Sequence, residues 1–81
     1  MRLTKGKYFK DRFGRIFKII DFHPDYTKQT RRKYVYLKCI TTDDKSIHKV
    51  GNKYLEIRET IKWIWRPLEE LTEEEALLEV L

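Results

Sequence analysis

The pattern of apolar and polar positions predicts a series of short strands over the first 66 residues. The clearest is 34–41, where Val35, Leu37 and Cys39 alternate with two tyrosines and a lysine. Strict alternation is typical of a half-buried strand, so we expect the aliphatic face to point inward. Further strand candidates are 7–10, 15–22, 46–50, 54–58 and 60–66, separated by turn signals such as 11–14, 42–45 and 51–52.

The segment 15–22 is apolar on both faces. Ile16, Ile20 and Phe22 fall on one face, and Phe17 and Ile19 fall on the other. Two apolar faces favour a central, strongly bent strand over an exposed edge strand.

The segment 54–65 fits two periodicities. Helical spacing connects Ile57, Ile61 and Ile64, whereas strand alternation connects Ile61, Trp63 and Trp65. The β-branched and aromatic composition of 60–66 favours a strand. On that interpretation both tryptophans belong to the core, and Trp63→Ala would cost about 3–5 kcal/mol of stability.

A helix is predicted over 73–81. Thr72 and Glu75 have the spacing of a capping box, and Leu71 and Ala76 occupy the staple positions around it. A helix this short is not stable alone in water, so we expect a leucine or valine of its second half to pack on the rest of the chain.

Short strands, tight turns and one terminal helix in 81 residues resemble the SH3-like small-barrel architecture. The resemblance covers 5–66 and involves no family-specific motif. The predicted fold is therefore mainly β (α+β): one domain over 1–81, with a barrel of about five short antiparallel strands and a short C-terminal α-helix.

Charge divides the chain into a basic body and an acidic segment. Residues 1–66 contain all 18 lysines and arginines and seven acids, a net charge of +11, whereas 67–81 contains six glutamates and no cation. Three roles remain open for the acidic segment: a helix packed on the basic body, a phosphate mimic that competes with nucleic acid, or a docking helix for a partner.

Residues that could perform catalysis are scarce. His23 and His48 are the two histidines, and we find no nucleophile elbow, phosphate-binding glycine loop or zinc-ligand spacing. We expect no enzyme activity, no metal and no cofactor. A lone cysteine, no export signal and no membrane-spanning run favour the cytoplasm, without a membrane partner.

The best candidate site is a basic loop that leads into the aromatic strand 34–41. Cations bind phosphates and tyrosine rings stack on unpaired bases, so this pattern favours sequence-tolerant binding of DNA or RNA. The alternative is a protein-binding module or a small virus- or plasmid-encoded inhibitor of a host protein. The candidate nucleic-acid-binding residues are Lys28, Arg31, Arg32, Lys33, Tyr34, Tyr36 and Lys38.

Overall fold

Five antiparallel strands form one sheet in the computed structural model, which describes residues 1–22, 33–41 and 50–80. The strand order is β4-β3-β2-β1-β5, so β4 and β5 lie at the two edges and the sheet is not closed. The elements are β1 (Tyr8–Lys10), β2 (Ile16–Phe22), β3 (Tyr34–Thr41), β4 (Lys53–Ile57), a π-helical turn (Thr60–Ile64), β5 (Glu69–Leu71) and α1 (Glu73–Val80).

The mainly β architecture with a short C-terminal helix is confirmed. Strand 34–41 has the predicted bounds, and the strand predicted at 54–58 lies one residue earlier, at Lys53–Ile57. Of the strand predicted at 46–50, only Val50 is among the described residues, and it lies in a turn.

The strand β2 is central, as its composition predicts; its first part is buried on both faces, whereas Phe22 at its end is 37% exposed. Ile16, Phe17 and Ile19 each have no exposed surface. The pairing of β2 with β3 is irregular at two places, between Ile16 and Phe17 and between Ile19 and Asp21. Bulges of this kind bend a strand and increase its twist.

The main core lies on one face of the sheet, which we call the core face. Val35, Leu37 and Cys39 are fully buried there, which confirms the predicted inward face of β3. The other buried members of this cluster are Leu3, Phe9, Phe17, Ile19, Ile61 and Trp65.

The strand predicted at 60–66 is wrong. Thr60–Ile64 is a π-helical turn, in which the Trp65 N–H donates to the Thr60 carbonyl at 3.2 Å. The chain must cross the core face here, because β4 and β5 lie at opposite edges of the sheet. A helical turn satisfies its backbone groups locally during such a crossing, whereas a lone strand would leave them unpaired.

The helix α1 of the acidic segment packs against the sheet on the face opposite the core. Thr72 and Glu75 form the predicted capping box, since each backbone N–H donates to the other side chain at 3.1 Å. Ala76 is fully buried in a second cluster with Tyr8, Ile16 and Leu71. The helix is therefore anchored through Ala76. We expected Leu77, Leu78, Val80 or Leu81 to pack; Leu77 and Leu78 are 54% and 67% exposed, and the side chains of Val80 and Leu81 lie outside the described residues.

Candidate nucleic-acid interface

The helix α1 covers only part of the face opposite the core. It contacts β1, β5 and β3, and the part of this face toward β4, where Leu55 is exposed, is not covered by α1. We call this uncovered part the open face. Tyr34, Tyr36 and Lys38 alternate with the buried side chains of β3, so all three lie on the open face and are half-buried.

The structure brings four of the predicted site residues together. Lys33 is exposed directly before β3, and its carbonyl accepts a hydrogen bond from the Arg58 N–H at 2.8 Å. Lys33 thus adjoins Tyr34, Tyr36 and Lys38. The predicted Lys28, Arg31 and Arg32 lie outside the described residues.

Three lysines line up across the open face. Lys38 on β3 is directly opposite Lys18 on β2 and directly opposite Lys53 on β4. Opposite residues of antiparallel strands share a face and lie about 5 Å apart. We call these three residues the lysine row. Sequence reasoning missed Lys18 and Lys53, because only the register between strands shows that they adjoin Lys38.

The charge of the lysine row is not compensated by carboxylates in the described part of the chain. Among those residues none of the three lysines forms an ion pair, and Lys18 Nζ lies 5.4 Å from the ring centre of Tyr8. By contrast, Lys7 and Lys10 on and beside β1 pair with Glu70 at 3.0 Å and Glu79 at 3.5 Å.

One carboxylate does lie on the open face, beside Tyr36. Asp21 is the cross-strand neighbour of Tyr36, but it is oriented toward other groups. It accepts the Phe22 N–H at 2.8 Å and approaches Lys5 Nζ at 3.9 Å. Like charges placed directly opposite on a sheet repel one another. An anion bound to the lysine row would reduce the repulsion among its three lysines.

An apolar platform adjoins the lysine row. Tyr36 is opposite Leu55, and Tyr34 is opposite Ile57, so rings and aliphatic chains alternate between β3 and β4. Leu55 is 46% exposed. The open face therefore combines positive charge with half-buried tyrosine rings and exposed apolar surface.

The two tryptophans have different environments. Trp65 is 5% exposed, stacks on Phe17 with ring centres 5.2 Å apart, and has the Arg15 guanidinium 4.5 Å from its ring centre. Trp63 is 64% exposed, so the prediction that it belongs to the core is wrong. Helical spacing turns Ile61 and Trp65 inward together and leaves Trp63 outside.

Exposed Trp63 forms a small apolar surface with its neighbour. Ile64 is 58% exposed, and the Arg66 guanidinium lies 5.0 Å from the Trp63 ring centre. Tryptophan and arginine are enriched where proteins bind other proteins. This Trp63 surface is attached to the turn that crosses the core face, on the other side of the sheet from the lysine row.

A buried ion pair fixes the turn between β1 and β2. Asp11 accepts hydrogen bonds from the N–H groups of Phe13 at 3.0 Å and Arg15 at 2.9 Å, and from Arg15 Nε at 2.7 Å. The adjacent Arg12 N–H donates to the Trp65 carbonyl at 2.9 Å. These hydrogen bonds hold the backbone of the turn and the Arg15 side chain in place, so the Asp11 carboxylate has a structural role.

Cys39 has the environment of a core residue. It is fully buried, and burial raises the pKa of its thiol, with nearby Asp11 adding to the rise and Arg15 opposing it. A protonated buried thiol is a poor nucleophile and a poor metal ligand. In the described ranges, no group of three or more histidine, cysteine, aspartate or glutamate residues could hold a metal ion.

Among residues 1–22, 33–41 and 50–80, no helix has the length and apolar character needed to cross a bilayer. Comparison of the chain with protein-family models, with curated proteins and with solved structures found no match to any of them.

Proposed function

We propose that this protein is a non-enzymatic, sequence-tolerant nucleic-acid-binding module of the cytoplasm. The observation that supports the proposal is the lysine row beside Tyr34 and Tyr36 on the open face. The lysines of the row have no carboxylate partner among the described residues; in this proposal they bind phosphates and release counterions, and this term dominates sequence-independent binding. Tyrosine rings add stacking on bases of any identity.

In this proposal the cations that precede β3 in the sequence also bind phosphates. Lys33 adjoins Tyr34, and Lys28, Arg31 and Arg32 precede it closely in the sequence. Their charges would lengthen the phosphate-binding track beyond the lysine row. Together they would bring the number of neutralised phosphates to about five.

The sheet topology is compatible with the finer fold that we propose, a partly open SH3-like barrel. β1 lies between β2 and β5, and the two irregularities in the β2–β3 pairing, one with an extra residue on β3 and one with an extra residue on β2, bend the middle of the sheet. Curvature of this kind brings the two edge strands of a sheet toward each other.

Salt dependence of binding tests the proposed function. We expect fluorescence anisotropy to detect binding of labelled mixed-sequence oligonucleotides at low salt, with a log–log slope of about −3.5 to −4.5 for about five phosphates. Affinities for unrelated sequences should agree within a few-fold. Absence of binding to single- and double-stranded DNA and RNA at about 25 mM salt would overturn the proposal.

Lys38→Gln is the central variant, because Lys38 has a lysine on each side. It should weaken binding while leaving the free energy of unfolding unchanged or higher, since removing the middle charge relieves repulsion. Lys62→Gln is the matched control, because Lys62 is an exposed lysine of the π-helical turn. Equal weakening by both variants would show that only net charge matters and would argue against the lysine row.

The Trp63 surface supports a second candidate function, binding of a protein partner. Lys62 and Arg66 flank Trp63, so the complementary partner segment is apolar and acidic. Inhibition of a host protein is one form that such binding could take.

Capture from nuclease-treated lysate with matched baits separates the two functions. A protein partner should remain bound in stoichiometric amount to the wild-type chain and should be lost from the Trp63→Ala chain, since hot-spot tryptophans contribute about 2 kcal/mol or more to binding. Equal capture by both chains would remove this candidate.

A further inference from the structure

The dimensions of the lysine row limit what it can bind. Its three lysines lie on three neighbouring strands, β2, β3 and β4. Strands are about 4.8 Å apart, so the row is about 10 Å long. In a stacked strand each phosphate advances about 3.4 Å along the helix axis, and in an extended strand the advance is greater, so the row matches about two to four consecutive phosphates.

The direction of the lysine row is perpendicular to the strands. A phosphate backbone bound to all three lysines must therefore cross the sheet from β2 to β4. Its bases would then extend along the strands, where Tyr36, Tyr34 and their neighbours Leu55 and Ile57 form the apolar platform. Stacking on such a platform requires unpaired bases, which a duplex does not present.

The acidic helix bounds the lysine row at the β1 side. Tyr8 is the cross-strand neighbour of Lys18 and is buried in the cluster that contains Ala76 of α1. The first turn of α1 contains Glu73, Glu74 and Glu75. A rigid duplex that lies along the row would continue past Lys18 toward these glutamates, whereas a flexible single strand can turn away and keep to the open face.

We infer that the ligand is a single strand of nucleic acid that crosses β2, β3 and β4, with its phosphates on Lys18, Lys38 and Lys53 and its bases over Tyr34 and Tyr36. This inference rests on the proposed function and adds the class of nucleic acid, its direction across the sheet and two binding residues, Lys18 and Lys53.

The experiment compares two double variants that remove the same charge. Lys18→Gln/Lys53→Gln removes both ends of the lysine row. Arg2→Gln/Lys62→Gln removes two exposed cations next to Leu3 and Ile61, which pack in the core-face cluster. Binding of the full chain to labelled ten-nucleotide oligothymidylate and to a mixed-sequence duplex is measured by anisotropy from about 50 to 300 mM salt.

Each phosphate contact on a single strand adds about 0.7 to the magnitude of the log–log salt slope. At 0.1 M salt, the loss of one contact therefore weakens binding about five-fold. We therefore expect the Lys18/Lys53 variant to lose about 1.4 of slope and about 25-fold in affinity for oligothymidylate. The Arg2/Lys62 variant should keep the wild-type slope. A Tyr36→Leu chain should lose about five-fold or more in affinity with the slope unchanged, because stacking releases no counterions.

The outcomes separate this inference from the proposed function. If the wild-type chain binds nucleic acid but the two double variants have the same slope, Lys18 and Lys53 are not phosphate ligands and the inference is overturned. Tighter binding of the duplex than of oligothymidylate would also overturn it. In both cases the proposed function is unaffected. If the wild-type chain binds no nucleic acid, both the proposed function and this inference are wrong. Circular dichroism and thermal unfolding confirm that each variant is folded.

Discussion

The two tryptophans provide a matched test of the structure, because the same substitution should have opposite consequences two residues apart. Trp65 is 5% exposed and stacks on Phe17, whereas Trp63 is 64% exposed and contacts the Arg66 guanidinium. A strand over 60–66 would put both side chains on one face and make their contributions to stability similar. The π-helical turn makes them different.

The expected magnitudes follow from burial. A tryptophan buries about 150–250 Å², and at about 25 cal/mol per Å² this corresponds to about 4–6 kcal/mol. Partial burial in the unfolded chain reduces the effect of Trp65→Ala to about 3–5 kcal/mol. Trp63 buries only about a third as much, so Trp63→Ala should cost about 1 kcal/mol, including its contact with Arg66.

Phenylalanine substitutions keep the comparison measurable. A domain of this size has a total stability of about 4–12 kcal/mol, so Trp65→Ala could unfold it. Trp65→Phe should cost about 1–3 kcal/mol and Trp63→Phe less than about 0.5 kcal/mol. Urea unfolding followed by far-UV circular dichroism measures both, since that signal does not depend on tryptophan. If Trp63→Phe destabilised the protein as much as Trp65→Phe, the placement of the turn would be refuted.

Three further predictions concern the turn, the helix cap and the buried thiol. Asp11→Ala should cost about 3–5 kcal/mol, because it leaves the Arg15 guanidinium without its carboxylate; a loss below about 1 kcal/mol in urea unfolding would contradict the buried ion pair. Thr72→Ala should cost about 1 kcal/mol by removal of the side-chain cap on the Glu75 N–H, and an unchanged urea midpoint would argue against the capping box. Cys39 should react with a thiol reagent only in denaturant. Rapid labelling of the native protein would contradict the burial of this thiol. Because the pKa of Cys39 is raised in the folded state, the free energy of unfolding should fall as pH rises above the unfolded pKa. This pH dependence should be absent in Cys39→Ala.

The elements that sequence reasoning predicted correctly are those whose signals are local. Strand β3 alternates strictly, so its bounds and its buried face follow from the side chains alone. The start of α1 is likewise encoded within the four residues of its capping box. Neither feature depends on what the rest of the chain does.

The elements that sequence reasoning missed depend on topology. Ile61 is apolar in both the helical and the strand pattern, and only the need to cross from β4 to β5 decides between them. Strand β5 is three residues long and contains two glutamates, so its identity depends on its pairing with β1. Composition therefore led to a wrong prediction of a strand at 60–66 and to no prediction of the strand at Glu69–Leu71.

Part of the candidate site could be predicted from the sequence, because positions along one strand are a local property. Tyr34, Tyr36 and Lys38 share a face because they lie on one strand, which alternation alone establishes. Lys18 and Lys53 come from other strands, and their alignment with Lys38 depends on register. The irregular pairing of β2 with β3 shifts that register, so counting residues from the turns could not have identified the lysine row.

The pairing of β1 with β5 has a consequence for how the protein is made. Tyr8 pairs with Leu71, so a strand from the beginning of the chain has a neighbour that is synthesised 63 residues later. Until residues 69–71 have been synthesised, the edge of β1 that pairs with β5 has no partner strand, and until Trp65 has been synthesised Phe17 lacks the ring that stacks on it. We expect the nascent polypeptide to acquire its native arrangement only after residue 71 leaves the exit tunnel, and until then to depend on chaperones to shield these side chains.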